Sequence, residues 1–215
     1  MLDLVLRTLI AYLLGTIMGG RIVGALRGGV DLRKLGSGNI GATNALRTQG
    51  VSFALAVLAI DVLKGVIAVS LVPALPQFSA PILKPAVQAY VCGAAVVLGH
   101  CYPVFSGFRG GKGVATLAGV FAALMPAALP WLLGAFALVV MLSGYVSLAT
   151  IVATLVAVLY VTCFSAAGLF SSAGAFTLAM ALLVVWKHRD NLRRLAAGTE
   201  HRFEKARVLA RWRRS

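Results

Sequence analysis

The sequence predicts an all-α, polytopic integral membrane protein: a compact bundle of about seven transmembrane helices, with its N-terminus outside and its C-terminus in the cytoplasm. Three observations carry this. Of 215 residues, 60% are hydrophobic and only 12% charged, whereas an ordinary soluble domain carries about 25% charged residues. From Val114 to Trp186, 73 consecutive residues include no Asp, Glu, Lys or Arg, although one bilayer crossing needs only about 20 apolar residues. The 20 Lys and Arg residues, set against 6 Asp and Glu for a net charge of +14, gather between the apolar runs, where they report the side of the membrane. A nucleic-acid partner is excluded, because a chain this apolar leaves little polar surface for a duplex to lie on.

Three apolar stretches precede the uncharged run: Leu4 to Leu26, Val51 to Val72 and Pro85 to Val104. The first is not read as a signal peptide, since no small-residue cleavage site follows a basic n-region. Its Gly15, Gly19 and Gly24 are read as close-packing positions. The segment after it holds Arg27, Arg33, Lys34 and Arg47, and the Pro-rich segment from Pro73 to Pro85 only Lys84, so the first of these faces the cytoplasm. Counting onward, the segment with Arg109 and Lys112 is cytoplasmic again. So is the tail beyond Trp186, which holds ten of the 20 basic residues. An even number of spans must join those two ends; two would be far too long, and four fit between breaks at Pro126 to Pro130, Ser143 to Val146 and Ser165 to Gly168. The domain organisation expected is a single transmembrane domain, 1–215, with a basic cytoplasmic tail at 187–215.

The parity places three segments unlike transmembrane sequence on one face of the membrane, where they can form one site. The first reads GSGNIGATNALR, Gly36 to Arg47. Glycines let main-chain N–H groups approach an anion closely, Ser37, Asn39, Thr43 and Asn44 add short polar groups, and Arg47 adds a two-pronged donor for phosphate or carboxylate. Composition alone equally allows an ordinary Gly-rich loop with an orienting arginine. The second reads GHCYPVFSGFRGGKGVAT, Gly99 to Thr116. It is not a nucleotide P-loop: Gly113 stands where Ser or Thr should follow Lys112, and Ser106 occupies the place of the first glycine. Gly110, Gly111 and Gly113 do bracket Lys112 just before a helix, an arrangement that attracts phosphate; a snorkelling lysine beside a flexible turn is the other reading. The third, HRDNLRRLAAGTEHRF from His188 to Phe203, puts His188, Asn191 and Leu192 on one face if it is helical. His188 can then donate to phosphate or handle a proton. Arg193, Arg194, Arg207, Arg211, Arg213 and Arg214 are read as lipid-headgroup contacts.

Together the three segments resemble the motifs of the bacterial acyl-phosphate:glycerol-3-phosphate acyltransferase (PlsY) family: GSGNxGATN with a following Arg, GHxFPxFxxFxGGKGVAT, and HRxNxxRLxxGxE. They agree in order over nearly the whole chain, with Tyr102 where Phe is usual. The resemblance implies a seven-helix bundle in the bacterial inner membrane, its active site facing the cytoplasm. It implies transfer of a fatty acyl group from acyl phosphate to the 1-position of sn-glycerol 3-phosphate, giving lysophosphatidic acid and inorganic phosphate. The residues matching the family's essential positions are Ser37, Arg47, Lys112, His188 and Asn191, with Gly110, Gly111 and Gly113 associated with glycerol 3-phosphate. Asn39, Thr43 and Asn44 contact substrate or shape the loop, and Glu200 is structural. The resemblance further implies that neither coenzyme A nor acyl carrier protein is required as the direct donor, and that membrane phospholipid surrounds the protein.

The residues support that chemistry independently. Two phosphate-bearing substrates must be held together, which needs cations and amide donors to compensate. Acyl phosphate is already activated, so direct attack by the glycerol hydroxyl asks for orientation and proton removal rather than a covalent intermediate. Phe105, Arg193 and Ala206 stand five residues after the three histidines, so the H-x4-D signature of coenzyme A-dependent acyltransferases is missing. No carboxylate or histidine cluster is spaced for a metal, and no cofactor is expected. Cys92, Cys101 and Cys163 contain no C-x-x-C pair, and an odd count cannot all pair in one chain. Asp61 and Lys64, on one face of the second span, are assigned a structural role, with support of the active-site loops as the alternative. The competing class is a membrane transporter for an anionic solute, against which stand the absence of an internal repeat and a midplane nearly bare of polar groups. A lipid-anchoring structural protein would account for the tail but not the first two segments.

Overall fold

The structure is a computed structural model that describes residues 1–78 and 80–208; Arg211, Arg213 and Arg214 lie outside the described residues. All regular elements among the described residues are helical. The chain divides into two compact units, Met1–Met125 and Pro126–Ser215.

The first unit contains α1 (Leu2–Thr16), α2 (Gly19–Leu26), α3 (Ala42–Gln49), α4 (Val51–Ser70), α5 (Pro85–Cys101) and α6 (Val114–Leu124). The second contains α7 (Leu129–Ser143), α8 (Val146–Phe164), α9 (Ser172–Lys187) and α10 (Arg189–Ala196). Within the uncharged run the helices stop where Pro, Gly and Ser punctuate the sequence: α6 before Pro126, α7 at the left-handed Gly144 (φ 76°), and α8 at Ser165. Four described helical segments are long and apolar enough to cross a membrane, Val51–Ala74, Pro85–Ser106, Pro126–Ser143 and Val146–Phe164. A fifth crossing requires α1 and α2 together, and α6 and α9 are shorter apolar helices. Seven crossings require that all of these span.

The first apolar stretch, Leu4 to Leu26, is divided in the structure: α1 and α2 are bent by 43° at a break around Ile17 and Met18. A broken helix leaves carbonyls and N–H groups without intrahelical partners, and in an apolar interior each must be satisfied from elsewhere. Here α4 satisfies them. Lys64 Nζ donates to Gly15 O (3.1 Å) and Ile17 O (2.8 Å), and the Gly19 N–H donates to Asp61 Oδ1 (3.2 Å). Lys64 and Asp61 also pair with one another at 2.9 Å, both buried. The two charges neutralise each other while capping opposite ends of the break.

Small residues let the backbones of this unit touch. A Cβ on Gly15 would meet the Val96 carbonyl, and one on Gly99 the Tyr12 carbonyl, so α1 and α5 pack with no room for a methyl group. Gly65 and Gly119 do the same for α4 and α6, against the carbonyls of Thr116 and Val62. At the start of α4, Val23, Leu32, Ala45, Phe53, Ala54 and Val57 form a buried apolar cluster. It ties α2, α3 and the loop between them to α4, and so fixes the base of the first polar segment.

In the second unit, α7 pairs with α8, α8 with α9, and α10 lies against both α8 and α9. No residue of α7 is buried, which is how an apolar helix facing lipid reads. Ser171 caps α9 by accepting from the Gly174 N–H at 2.9 Å.

Candidate active site

The first polar loop is wrapped around one side chain. Asn44, buried on the first turn of α3, donates from Nδ2 to Leu32 O (3.1 Å), Leu35 O (2.9 Å) and Asn39 O (2.8 Å), and its Oδ1 accepts from the Ser37 N–H (2.9 Å). These bonds fold the chain from Leu32 to Asn39 over the start of α3. Gly36 (φ 55°) and Gly38 (φ 70°) take the left-handed turns this needs, and a Cβ on Gly36 would collide with the Asn44 amide. Of the two roles open to Asn44, the structure thus supplies the loop-shaping one. Ser37 and Thr43 are exposed at the surface of the loop, Asn39 is half-buried, and Arg47 is half-buried in the last turn of α3. Before the loop, Asp31 caps a short turn and is gripped by the Arg33 guanidinium at 2.9 and 2.8 Å. The Arg33 side chain and N–H donate to the Asp31 carboxylate and hold its pKa down at about 2.

The second polar loop folds back onto the end of α5. Gly110 N–H donates to Cys101 O (3.3 Å) and Gly111 N–H to His100 O (3.1 Å). The anion-donor role expected of these two amides is therefore corrected: their N–H groups are committed to the chain, and what the structure requires of the glycines is space. A Cβ on Gly110 would meet the His100 carbonyl, and one on Gly113, where φ is 79°, would lie 2.9 Å from Cys101 Sγ and from Val97 Cγ1. Lys112 is half-buried between Gly111 and Gly113, which caps α6. Gly107 and Phe108 turn the chain with φ of 58° and 60°, and Phe108 is the one described non-glycine residue with positive φ.

These two loops meet around a cleft of about 660 Å³. The first contributes Asp31, Arg33, Lys34, Gly38 and Ile40, and the second Ser106, Gly107, Arg109 and Gly110. Arg21 of α2 reaches the rim and donates to Ser106 Oγ at 2.6 Å. The cleft thus gathers three cationic side chains, Arg33, Lys34 and Arg109, which along the sequence mark only the side of the membrane. Of the residues singled out from sequence, only Gly110 is in its wall; Ser37, Arg47 and Lys112 are in the same two segments but not among the lining residues. The available signal was position: Arg33 and Lys34 immediately precede the Gly-rich run, and Arg109 immediately precedes the Gly pair before Lys112.

The third segment is not one helix. His188 ends α9 and begins α10, and it keeps the i, i+3, i+4 relation to Asn191 and Leu192 expected of one face. The Leu192 N–H still donates to His188 O at 2.9 Å. His188 and Asn191 are both buried. His188 Nδ1 lies 2.8 Å from Val184 O. A carbonyl only accepts, so Nδ1 carries the proton and Nε2 of the neutral ring carries the lone pair.

Gly198 (φ 69°) turns the chain after α10 and brings Glu200 back against α10 and α8. Glu200 accepts from Asn191 Nδ2 (2.7 Å), Ser147 Oγ (3.0 Å) and Arg194 Nε (2.8 Å). Burial alone would push its carboxyl up, but the donors from Asn191, Arg194 and Ser147 outweigh it and the pKa is lowered. A carboxyl whose pKa is depressed by folding contributes stability that is full above its unfolded value and lost as pH falls through the folded one. Melting temperature measured from neutral pH down through the ordinary 4.5 of a glutamate and below should fall for the parent, and fall less steeply for Glu200→Gln.

A model of the glycerol-3-phosphate acyltransferase family matches residues 5–198. This chain belongs to that family. The glycerol-3-phosphate acyltransferase of Geobacter sulfurreducens is 42% identical over 204 residues, covering 95% of this chain and 100% of the relative. That of Aquifex aeolicus is 42% identical over 198 residues, covering 90% and 95%. Crystal structures of PlsY, an integral membrane glycerol 3-phosphate acyltransferase, in its glycerol 3-phosphate and lysophosphatidic acid forms superpose with TM-scores of 0.81 and 0.80, at 37% and 36% identity. Each covers 96% of this chain and 98% of the other. The chain is an all-helical integral membrane acyltransferase, and its three polar segments all fall within, or extend just past, the matched residues.

Proposed function

We propose that this protein transfers a fatty acyl group from acyl phosphate to the 1-position of sn-glycerol 3-phosphate, releasing lysophosphatidic acid and inorganic phosphate. The observation that carries the reading furthest is the cleft between the first two polar loops, where Arg33, Lys34 and Arg109 line one cavity in a chain of this family. A cavity whose wall carries three cations against the one carboxylate of Asp31 keeps a net positive charge, which suits a phosphate-bearing substrate. Ser37, Arg47 and Lys112 complete the anion-binding set, and His188 and Asn191 orient the acceptor. We place the reaction on the cytoplasmic side of the bacterial inner membrane, in a single seven-span domain with its N-terminus outside, because the basic segments belong on that side.

The reaction proceeds by direct attack. The 1-hydroxyl oxygen of glycerol 3-phosphate bonds to the acyl carbonyl carbon, the bond from that carbon to the phosphate oxygen breaks, and the hydroxyl proton leaves with the released phosphate. No acyl-enzyme forms on Ser37, which serves as a donor to phosphate. Neither coenzyme A nor acyl carrier protein acts as donor.

Purified protein in detergent, given palmitoyl phosphate and glycerol 3-phosphate without coenzyme A, acyl carrier protein or metal, should release inorganic phosphate and lysophosphatidic acid in equal amounts. No product under those conditions overturns the proposed donor; ping-pong kinetics overturns direct attack.

A further inference from the structure

Buried histidine His100 is not needed by the chemistry proposed above, yet it lies at the meeting point of the helical scaffold and the second polar loop. Its Nδ1 is 2.7 Å from Lys64 Nζ, while Asp61 Oδ1 is 3.5 Å away. An ammonium group only donates, so Nδ1 is the acceptor and Nε2 carries the ring proton. Lys64 is itself fixed by Asp61 and by the carbonyls of Gly15 and Ile17, so the imidazole is anchored to the α1–α2 break and to α4 at once. At its other edge the ring supports Gly111: a Cβ there would collide with Nε2 and lie 3.0 and 3.1 Å from Cδ2 and Cε1. The His100 carbonyl accepts the Gly111 N–H at 3.1 Å. One residue thus holds Gly111 through both its backbone and its ring, and Lys112 is the next residue in the chain.

We propose that His100, anchored by Lys64, is a positioning residue that sets the geometry of the Gly110–Gly113 loop for the phosphate of the acceptor. It acts through Gly111 and Lys112 and touches no reacting atom. The inference rests on the reading that this loop holds glycerol 3-phosphate. A loop displaced by a fraction of an ångström loses hold of its ligand while the reacting groups elsewhere are unaffected. The effect should therefore appear in KM for the acceptor and not in kcat.

The test is steady-state kinetics of the full chain in detergent, with palmitoyl phosphate and glycerol 3-phosphate, for the parent, His100→Asn, Gly111→Ala, the double variant and Lys112→Met. Asn at position 100 keeps an acceptor for Lys64 but removes the part of the ring beneath Gly111. His100→Asn should raise KM for glycerol 3-phosphate about tenfold while kcat and KM for palmitoyl phosphate stay within about twofold. Gly111→Ala should do at least as much. In the double variant the added methyl group occupies the space the ring has left, so the combined loss should be smaller than the product of the single losses. If Lys112→Met raises the acceptor KM and His100→Asn does not, the inference falls and the reading of the loop stands. If Lys112→Met leaves that KM unchanged, the reading itself falls. Equal losses in all three parameters, or a double variant whose loss equals the product of the singles, reduce His100 to a structural role and overturn the proposal.

Discussion

Lys64→Met should be among the most destabilising single substitutions in the first unit. Its partner Asp61 is 1% exposed, and removing one member of a buried ion pair leaves the other charge uncompensated, which costs about 3–5 kcal/mol. The loss extends beyond the pair. Gly15 O and Ile17 O, the carbonyls at the end of α1, lose their donor as well, and no water can substitute for it in an apolar interior. The double variant Asp61→Asn/Lys64→Met removes the stranded charge while keeping an amide oxygen for the Gly19 N–H, so it should recover part of the stability. The remainder measures what Lys64 contributes as a cap of the broken helix. Cys92 and Cys101 are buried thiols outside any disulfide, so thermal unfolding in detergent can be followed by a thiol-reactive fluorophore, after correction for the exposed Cys163. A Lys64→Met melting curve superimposable on the parent's would show that the pair does not hold the break.

That break marks the limit of what local sequence carries. The uncharged run from Val114 to Trp186 and its Pro, Gly and Ser interruptions announce the helices of the second unit, because composition and punctuation act over a few residues. The first span contains no proline, and Gly15 and Gly19 read equally well as packing positions. What makes the bend stable is a lysine and an aspartate more than 40 residues away, and no window along the chain can display that pairing. The site divides in the same way. Residue types suited to phosphate were legible in the three polar segments, and Asn44 was legible as one of them. Its use as the hub of a loop depends on four backbone partners distributed from Leu32 to Asn39. Arg33, Lys34 and Arg109 were visible as charges but not as walls of one cleft, since a rule that assigns charge to a side of the membrane does not say which charges face each other.

His188 should carry the largest effect on turnover. Its Nδ1–H is held by Val184 O at 2.8 Å, which fixes the ring and leaves the lone pair on Nε2, the arrangement needed to accept a hydrogen bond from an attacking hydroxyl. His188→Ala removes that acceptor and should lower kcat by about 10²–10⁴-fold, the range attributed to a positioned acid–base group. Its effect on KM should be smaller, because the interaction matters most as the hydroxyl attacks. Two roles then separate on one further substitution. Gln places an amide oxygen near the position of Nε2; it can accept a hydrogen bond but cannot take up a proton at neutral pH. If His188 orients the hydroxyl while the departing phosphate takes the proton, His188→Gln should keep kcat within about tenfold of the parent. If the imidazole itself removes the proton, Gln should be as poor as Ala, and the proposed route for the proton would have to be abandoned. The thiol-reactive melting assay on both variants separates a chemical loss from a folding one, since the His188–Val184 bond also joins α9 to the start of α10. Only a kcat loss in a variant that melts like the parent counts toward either role.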